Sequence, residues 1–581
     1  MFEVNKQRKA YIDSRGKTIL NACPGSGKTT TIAYKLNTLI EEQKLDYKFG
    51  GIACLSFTNV AKDEIKEKYT SFANKNLVYP NLISTINSFV NQFITLPFYN
   101  LISGDFERPQ ILESNEALDN QNIGSLYKKK KDDYVYVNKK GTHLKHIYKP
   151  SQIVKDLNGK YTFNGNTPNE DKVDLKVFEN YAKEIKRWQF KNGILTNLDS
   201  IVIAIKILNS NKHIAKALAK RFSYIIIDEA QDTSELQHEI LKILISHGVK
   251  NIDLVGDPSQ SLYIWRDAKP KVFMDLYNHA DWNGLDLTDN WRSTQTIINA
   301  YSKMLNPTLK KIKQKKIFDN SPNIKILRYD ENKEVEAIIK YNKLCSNYKE
   351  NWVVTRSKSL SDNLRGEIIG GQSFWKNSLG EEIINSIYEI NNGNYKYGID
   401  RIRYLLVAWH FKHLSFKERL VELKKLKADY DLNSKILVAL SKLKNFELTL
   451  EEWTEKAEQI FTLEIGLGIN VLLNLKKGTY NKFHKQKMSD LYQKRTVWNF
   501  PISTIHQVKG MTLDSIMLFL HKNRKSISIT DIEFKTDELT ELQSMIYVAM
   551  SRPRHLLTIA IEKSVPKKDI IKFLGNEIEM V

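Results

Sequence analysis

One stretch constrains the fold more than any other: Ala22-Cys23-Pro24-Gly25-Ser26-Gly27-Lys28-Thr29, with Thr30 following. It is set between the apolar run Thr18-Ile19-Leu20 and a helix-like segment through Leu39. Strand, glycine-containing loop, Lys-Thr and helix is the arrangement that cradles a nucleoside triphosphate. Backbone N–H groups wrap the phosphates, Lys28 reaches the β and γ oxygens, and the Thr29 hydroxyl can ligate Mg²⁺. Ala22 stands where the strict pattern has Gly. A glycine-rich turn that binds nothing would have no need of Lys28 and Thr29 at this spacing.

What the nucleotide serves must come from the rest of the chain. At 581 residues it is too long for one compact core, so several domains are expected. A composition 41% hydrophobic and 27% charged is that of a folded protein. The net charge of +21 points to a polyanionic partner, most simply nucleic acid, although Lys and Asn abound together throughout. Cys23, Cys54 and Cys345 are scattered, with no metal-ligand spacing and no disulfide framework. The start lacks an apolar signal region and no apolar run approaches membrane-spanning length, which predicts a cytoplasmic protein without membrane partners.

The first ninety or so residues alternate strand and helix: a strand at Ile52–Phe57, a helix over Asn59–Tyr69, a strand at Leu82–Thr85 and a helix from Asn87. That rhythm predicts a parallel sheet with ligand loops at the strand C-termini. From about Leu96 to Lys212 it breaks into a segment with the basic run Lys128–Lys131, several tyrosines and polar turns at Asn158-Gly159 and Asn164-Gly165. The sheet resumes at Tyr224–Asp228 and Asn251–Gly256. Between Ile399 and Ile465 there is neither Gly nor Pro, and Leu and Ile recur at helical spacing. Strand-like runs return at Pro501–Ile505, Ile516–Phe519 and His555–Ile559.

Asp228-Glu229-Ala230-Gln231-Asp232 ends an apolar strand. In a phosphate-loop ATPase a carboxylate there holds Mg²⁺ and its neighbour activates the attacking water, which assigns Asp228 to the metal and Glu229 to the general base. An acidic helix start favoured by the helix dipole is the plain alternative.

Further motifs follow in order. Gln7 precedes the loop. Leu55-Ser56-Phe57-Thr58-Asn59 with Ala61, and Ser84-Thr85-Ile86-Asn87-Ser88-Phe89, lie between the loop and Asp228. Then come Val255–Arg266, containing Gln260, Tyr263 and Trp265; Leu287–Thr294, containing Trp291 and Arg292; Gly370–Phe374; Thr504–Gly510, containing His506; and Tyr547–Arg552. In this order, over nearly the whole chain, they resemble the UvrD/Rep family of superfamily 1 DNA helicases.

The resemblance implies an α/β fold of two RecA-like parallel-sheet P-loop domains, 1A and 2A, each with an inserted, mainly helical subdomain, 1B and 2B. The expected boundaries are 1–90 with 215–290 for 1A, 91–214 for 1B, 291–365 with 496–581 for 2A, and 366–495 for 2B. It implies an ATP-dependent DNA helicase moving 3′ to 5′, using ATP and Mg²⁺, and partnered by single-stranded DNA and single-/double-strand junctions. By the same resemblance Gln7 reads adenine, Trp291 stacks on it and Gly510 lies at the nucleotide. Gln260 senses the γ-phosphate, and Arg292 and Arg552, placed on the second sheet, reach that phosphate too. Phe57, Tyr263 and Trp265 are the implied base-stacking residues, and Thr58, Thr85 and His506 further DNA contacts. Such stacking tolerates any base.

Three departures stand out: Trp291 for a Tyr, Asn87 for a His, and Met511-Thr512 where the family commonly places Leu-Glu, the Glu being a ribose contact. The residues after Arg552 are too few for a fused nuclease of the RecB type. Alternatives are a translocase that remodels DNA or strips proteins, and an antiviral-defence subunit resembling the helicase-like partner of the Gabija nuclease, acting with a separate nuclease. A DNA- and nucleotide-sensing switch with little hydrolysis is disfavoured by intact Glu229, Arg292 and Arg552.

Overall fold

The computed structural model describes residues 2–581 other than 46–49, 104–107, 113–117, 120–122, 131–132, 263–268, 309–310, 319–321, 332, 366–373, 377–378, 392–394, 412, 415, 466–472, 493–497, 499 and 522–525. The chain forms two compact units: Met1–Ile298 with Met304–Ile317 and Phe534–Ser551, and Asn299–Lys303 with Phe318–Glu533 and Arg552–Val581.

The first unit is built on β1 (Lys17–Ala22), β2 (Gly51–Ser56), β3 (Leu82–Thr85), β4 (Phe222–Asp228), β5 (Asn251–Gly256) and β6 (Asn283–Leu287). They lie in the order β6-β1-β5-β4-β2-β3, all parallel. A parallel sheet is covered on both faces, which is why its central strands read as unbroken apolar runs; every residue of β2 is buried. On one face Ile32 and Leu36 of helix Lys28–Leu45 and Ile65 and Tyr69 of helix Asn59–Ala73 pack against Leu20 and Ile226. On the other, helices Asn197–Ser210, Lys212–Arg221 and Glu235–Ser246 cover Ile19, Ile225 and Leu254.

Of these, helix Asn197–Ser210 lies in the stretch expected to be inserted, and Lys212–Arg221 begins at its end. Their apolar positions, among them Ile205, Leu208 and Leu218, belong to the sheet's own core. The insertion keeps a small core of its own, in which Phe178, Tyr181 and Ile185 of helix Leu175–Lys191 meet Tyr136, Tyr148 and Ile153. Short paired strands accompany that helix, and the turns foreseen there have the positive φ of Gly159, Asn164 and Gly165.

The second unit repeats the design. β7 (Ile324–Tyr329), β8 (Asn351–Thr355), β9 (Ile502–Thr504), β10 (Leu513–Leu520), β11 (Pro553–Glu562) and β12 (Ile578–Met580) form a parallel sheet in the order β9-β8-β10-β11-β7-β12. Its insertion is helical, as the Gly- and Pro-free stretch demands. Helices Leu379–Asn391, Tyr395–His410, Phe416–Ala428, Tyr430–Lys442 and Leu450–Glu464 surround Trp375 and Trp453, both fully buried. The Trp453 indole donates to the Leu443 carbonyl at 3.0 Å, so the ring is buried without an orphaned N–H.

Candidate functional site

In a parallel sheet every strand delivers its last residue to one edge, and the first unit places its motifs there. Ala22, Ser56, Thr85, Asp228, Gly256 and Leu287 end β1, β2, β3, β4, β5 and β6. Ala22 pairs with Leu287 in regular strand, which explains why this position has no need of Gly. The loop turns at Gly25 and Gly27, with φ of +73° and +79°. At Gly25 a Cβ would lie 2.6 Å from Cβ of Arg292 and 2.7 Å from Oδ1 of Asn290.

Lys28 opens the helix Lys28–Leu45, and Thr29 and Thr30 follow half-buried. Its Nζ lies 3.2 Å from Oδ1 of Asp228 and donates to Oε1 of Glu229. Burial works against the ammonium, but the two carboxylates outweigh it and raise its pKa. Asp228 is fully buried, and desolvation pushes its pKa up against the opposing pull of Lys28. Its Oδ1 also accepts from the Glu229 N–H at 2.9 Å, while Oδ2 is buried with no hydrogen-bond partner among the described residues.

Glu229 takes the left-handed conformation, φ 55°, uncommon for a residue with a side chain. A relay leaves from it. Gln231 Nε2 donates to Glu229 Oε2 at 2.6 Å, and Gln231 Oε1 accepts from Asp257 N–H at 3.1 Å. Gln260 Nε2 then donates to Asp257 Oδ2 at 2.7 Å. Burial pushes the Asp257 carboxyl up to about 6, although the hydrogen bond from Gln260 opposes it. Gly256 makes room for the relay: a Cβ there would lie 2.3 Å from Gln231 Oε1.

Gln7 and Thr288 bind each other twice. Gln7 Nε2 donates to Thr288 Oγ1 at 2.8 Å, and the Thr288 N–H donates to Gln7 Oε1 at 3.0 Å. Trp291 is half-buried; its backbone N–H donates to the Gly25 carbonyl at 2.8 Å, and its indole N–H is buried with no hydrogen-bond partner among the described residues.

Arg292 departs from expectation. Expected on the second sheet, it belongs to the first unit. The chain leaves β6 and follows the phosphate loop, making a two-residue strand, Asp289–Asn290, beside Lys313–Gln314. Arg292 Nη1 donates to the Ser551 carbonyl at 3.1 Å. Helix Glu541–Met550, buried from Gln543 to Met550, also belongs to this unit and packs against the turn Pro258–Gln260.

Sequence reading passed over two residues. Asn290, fully buried, donates from Nδ2 to the Pro24 carbonyl at 2.7 Å and accepts on Oδ1 from the N–H groups of Arg292 and Ser293, at 2.7 and 2.9 Å. A polar residue next to Trp291-Arg292 at a strand end was the available signal. Arg8, beside Gln7, donates from Nη2 to the Ser26 carbonyl at 2.8 Å.

Of the expected DNA contacts, Phe57 and Thr58 follow β2, and Thr85 ends β3. Thr58 caps helix Asn59–Ala73 and Thr85 caps helix Ile86–Val90, accepting from Ala61 N–H at 3.2 Å and Ser88 N–H at 3.1 Å. Ser56 pairs with Thr85, so the two caps lie at adjacent strand ends. Tyr263, Trp265 and Gly370–Ser373 lie outside the described residues.

In the second unit His506 sits half-buried in the turn Ile505–Val508 after β9, and Gly510, φ +83°, precedes β10. Arg552, 2% exposed, immediately precedes β11, and its carbonyl accepts from Leu513 N–H at 3.2 Å. Among the described residues no helix is long and apolar enough to cross a membrane.

Comparison with known proteins agrees with this arrangement. Residues 4–281 match the UvrD/REP helicase N-terminal domain, and residues 408–564 the UvrD-like helicase C-terminal domain. The chain is 26% identical to the ATP-dependent DNA helicase Rep of Buchnera aphidicola, over 94% of this chain and 91% of that protein. It is 23% identical to the ATP-dependent DNA helicase PcrA of Staphylococcus aureus over 68% of this chain, a match spanning 55% of that relative. Two family domains in chain order, together matching most of its length, make this chain a member of the UvrD/Rep helicase family.

Proposed function

We propose that this ATP-dependent DNA helicase moves 3′ to 5′ along single-stranded DNA and separates strands at junctions. The observation that carries the reading is the cluster of Lys28 between Asp228 and Glu229, joined by the Gln231–Asp257 relay to Gln260. Such a cluster supplies a phosphate-binding cation, a candidate base for water and a polar side chain that can respond to the phosphate.

In this reading the loop Ala22–Thr30 holds the triphosphate, while Gln7 and Trp291 hold adenine. Lys28 leaves its carboxylate partners for the phosphate oxygens, freeing Glu229 to take a proton from water. Arg292 neutralises charge developing on the transferred phosphoryl group. Arg552 is assigned the same work from its motif alone. Thr29 and Asp228 would hold Mg²⁺, and the donors fit, since the buried Oδ2 of Asp228 has no partner among the described residues. When bound, the ion would neutralise phosphate charge.

Phe57, Thr58, Thr85, Tyr263, Trp265 and His506 are the proposed DNA contacts. The capped helix starts after Thr58 and Thr85 support the assignment, because helix N-termini suit phosphate. Thr512 in place of an acidic residue argues for weak discrimination between ATP and dATP.

The test is ATPase activity with and without single-stranded DNA, then strand displacement on 3′-tailed and 5′-tailed duplexes, with Lys28→Ala as control. An ATPase indifferent to DNA would sink the translocation reading, and preference for 5′ tails the direction.

A further inference from the structure

We propose that Arg8 is a positioning residue that ties the adenine platform to the phosphate loop and so sets how strongly the site distinguishes ATP from other nucleoside triphosphates. The proposal rests on the reading of this site as an ATPase.

Arg8 lies one residue after Gln7 on helix Lys6–Asp13 and is 4% exposed. Its guanidinium carbon is 4.6 Å from the centroid of the Phe2 ring and 4.7 Å from that of Trp291. A planar cation suits this setting, because its faces meet π-systems while its edge remains free to donate. Nη1 donates to the Glu3 carbonyl at 2.6 Å and Nη2 to the Ser26 carbonyl at 2.8 Å. Ser26 is the centre of the phosphate loop. A Cβ at the next residue, Gly27, would lie 2.8 Å from Nη2 of Arg8, so that glycine is needed for the arginine's approach as well as for its φ of +79°.

Burial of a guanidinium is costly unless the cation is paired and hydrogen-bonded. Desolvation lowers the pKa of Arg8, while Glu3 and Asp289 support its charge. One side chain therefore touches the loop proposed to hold phosphate and the ring proposed to hold the base, and extends from the helix that carries Gln7. With the separation of these elements set by Arg8, base and phosphate contacts form together, and a nucleotide with the wrong base loses part of both. Without Arg8 the loop still binds a triphosphate, but the identity of the base matters less.

The experiment uses the full chain with Arg8→Lys and Arg8→Met, measuring steady-state hydrolysis of ATP and of CTP with a single-stranded oligonucleotide present, alongside thermal unfolding. In Arg8→Met, KM for ATP is expected to rise about tenfold or more, from the loss at the site of the charge-assisted hydrogen bond to Ser26 and of the planar face against Trp291. KM for CTP should change far less, kcat for ATP should hold, and the ATP-to-CTP ratio of kcat/KM should collapse. Arg8→Lys can still reach the Ser26 carbonyl but offers no planar face to Trp291, so discrimination should fall there too. Equal losses for ATP and CTP would reduce Arg8 to a structural role and overturn the proposal. So would a wild-type ratio in Arg8→Lys, which decides the matter alone if Arg8→Met does not fold. A wild-type chain that hydrolyses no ATP would fail the ATPase reading instead.

Discussion

Replacing Lys28 with Ala should destabilise the nucleotide-free protein in a pH-dependent way, apart from any effect on hydrolysis. The ammonium lies 3.2 Å from Oδ1 of Asp228 and donates to Glu229. Glu229 keeps Gln231 as a partner and its side chain is 16% exposed, so it can relax. Asp228 cannot, because it is wholly buried and already pushed up by desolvation. Removing one partner of a buried pair costs about 3–5 kcal/mol.

Asp228 has one escape, which is to take a proton. That route costs about 1.4 kcal/mol for each pH unit above an ordinary carboxylate value near 3.9, hence about 4 kcal/mol at pH 7 and about 1.5 at pH 5. Lys28 opposes the upward shift, so its loss raises the folded value further above the unfolded one. The folded state then binds a proton that the unfolded chain releases, and stability falls as pH rises. Urea unfolding of wild type and Lys28→Ala at pH 5 and 7.5 should show a gap that widens by about 2–3 kcal/mol at the higher pH. Adding Asp228→Asn to Lys28→Ala should close most of it. A gap of equal size at both pH values would mean that lost packing, rather than an uncompensated carboxylate, explains the destabilisation.

Three other outcomes follow from the same site. Asp257, pushed up to about 6, has a folded value above its unfolded one. Its stabilising protonation is fully present below about pH 4 and is lost as pH rises towards 6, about 3 kcal/mol in all. Asp257→Asn cannot ionise and should lack that decline in a urea series from pH 4 to 7.5; parallel curves would refute the assignment. Gly25→Ala and Gly510→Ala both place a side chain at positive φ, worth roughly 1–2 kcal/mol of strain. Only Gly25 also meets Asn290 and Arg292, whereas Gly510 faces open space, so Gly25→Ala should cost clearly more in Tm and alone abolish ATP binding; equal effects would count against a role for that close packing. With Thr512 in place of an acidic ribose contact, KM for dATP should lie within about threefold of that for ATP, and a tenfold preference would mean that another residue reads the sugar.

Much of this architecture was legible because both sheets are parallel. Apolar runs such as Tyr224–Ile227 have to be buried on both faces, and a parallel strand must deliver its following residues to the shared edge. That logic located Lys28, Asp228 and Glu229, and the turns at Gly159 and Gly165 followed from local φ demands. It did not say which core helix Asn197–Ser210 joins: the helix lies in the stretch expected to be inserted, its apolar face packs in the core of the first sheet, and nothing in its own pattern marks that choice. Arg8 and Asn290 were missed for another reason. Their side-chain donors bond to the carbonyls of Glu3, Ser26 and Pro24, acceptors that every residue type presents, so residue identity at the partner position marks neither.

Arg292 shows how backbone register overrides an expectation drawn from motif order. From Leu287 onward the chain lies against the phosphate loop: Cys23 N–H donates to the Leu287 carbonyl at 2.9 Å, Trp291 N–H to the Gly25 carbonyl at 2.8 Å, and Asn290 Nδ2 to the Pro24 carbonyl at 2.7 Å. Asn290 Oδ1 then fixes the N–H of Arg292 itself. With these bonds in place the arginine's backbone is part of the same rigid assembly as the loop that presents Lys28. Its guanidinium donates to Ser551, the residue covalently joined to Arg552. Asn290→Ala should therefore act on Arg292 through the backbone. It removes one bond to the loop and two to the arginine's turn, and leaves two backbone N–H groups and the Pro24 carbonyl to find water. The expected signature is a fall in kcat for ATP of tenfold or more, with Asn290→Asp restoring the two acceptor contacts and part of the rate while still lacking the donor to Pro24. If Asn290→Ala changed only KM, the side chain would be shaping the loop alone, and the link from loop to arginine would be wrong.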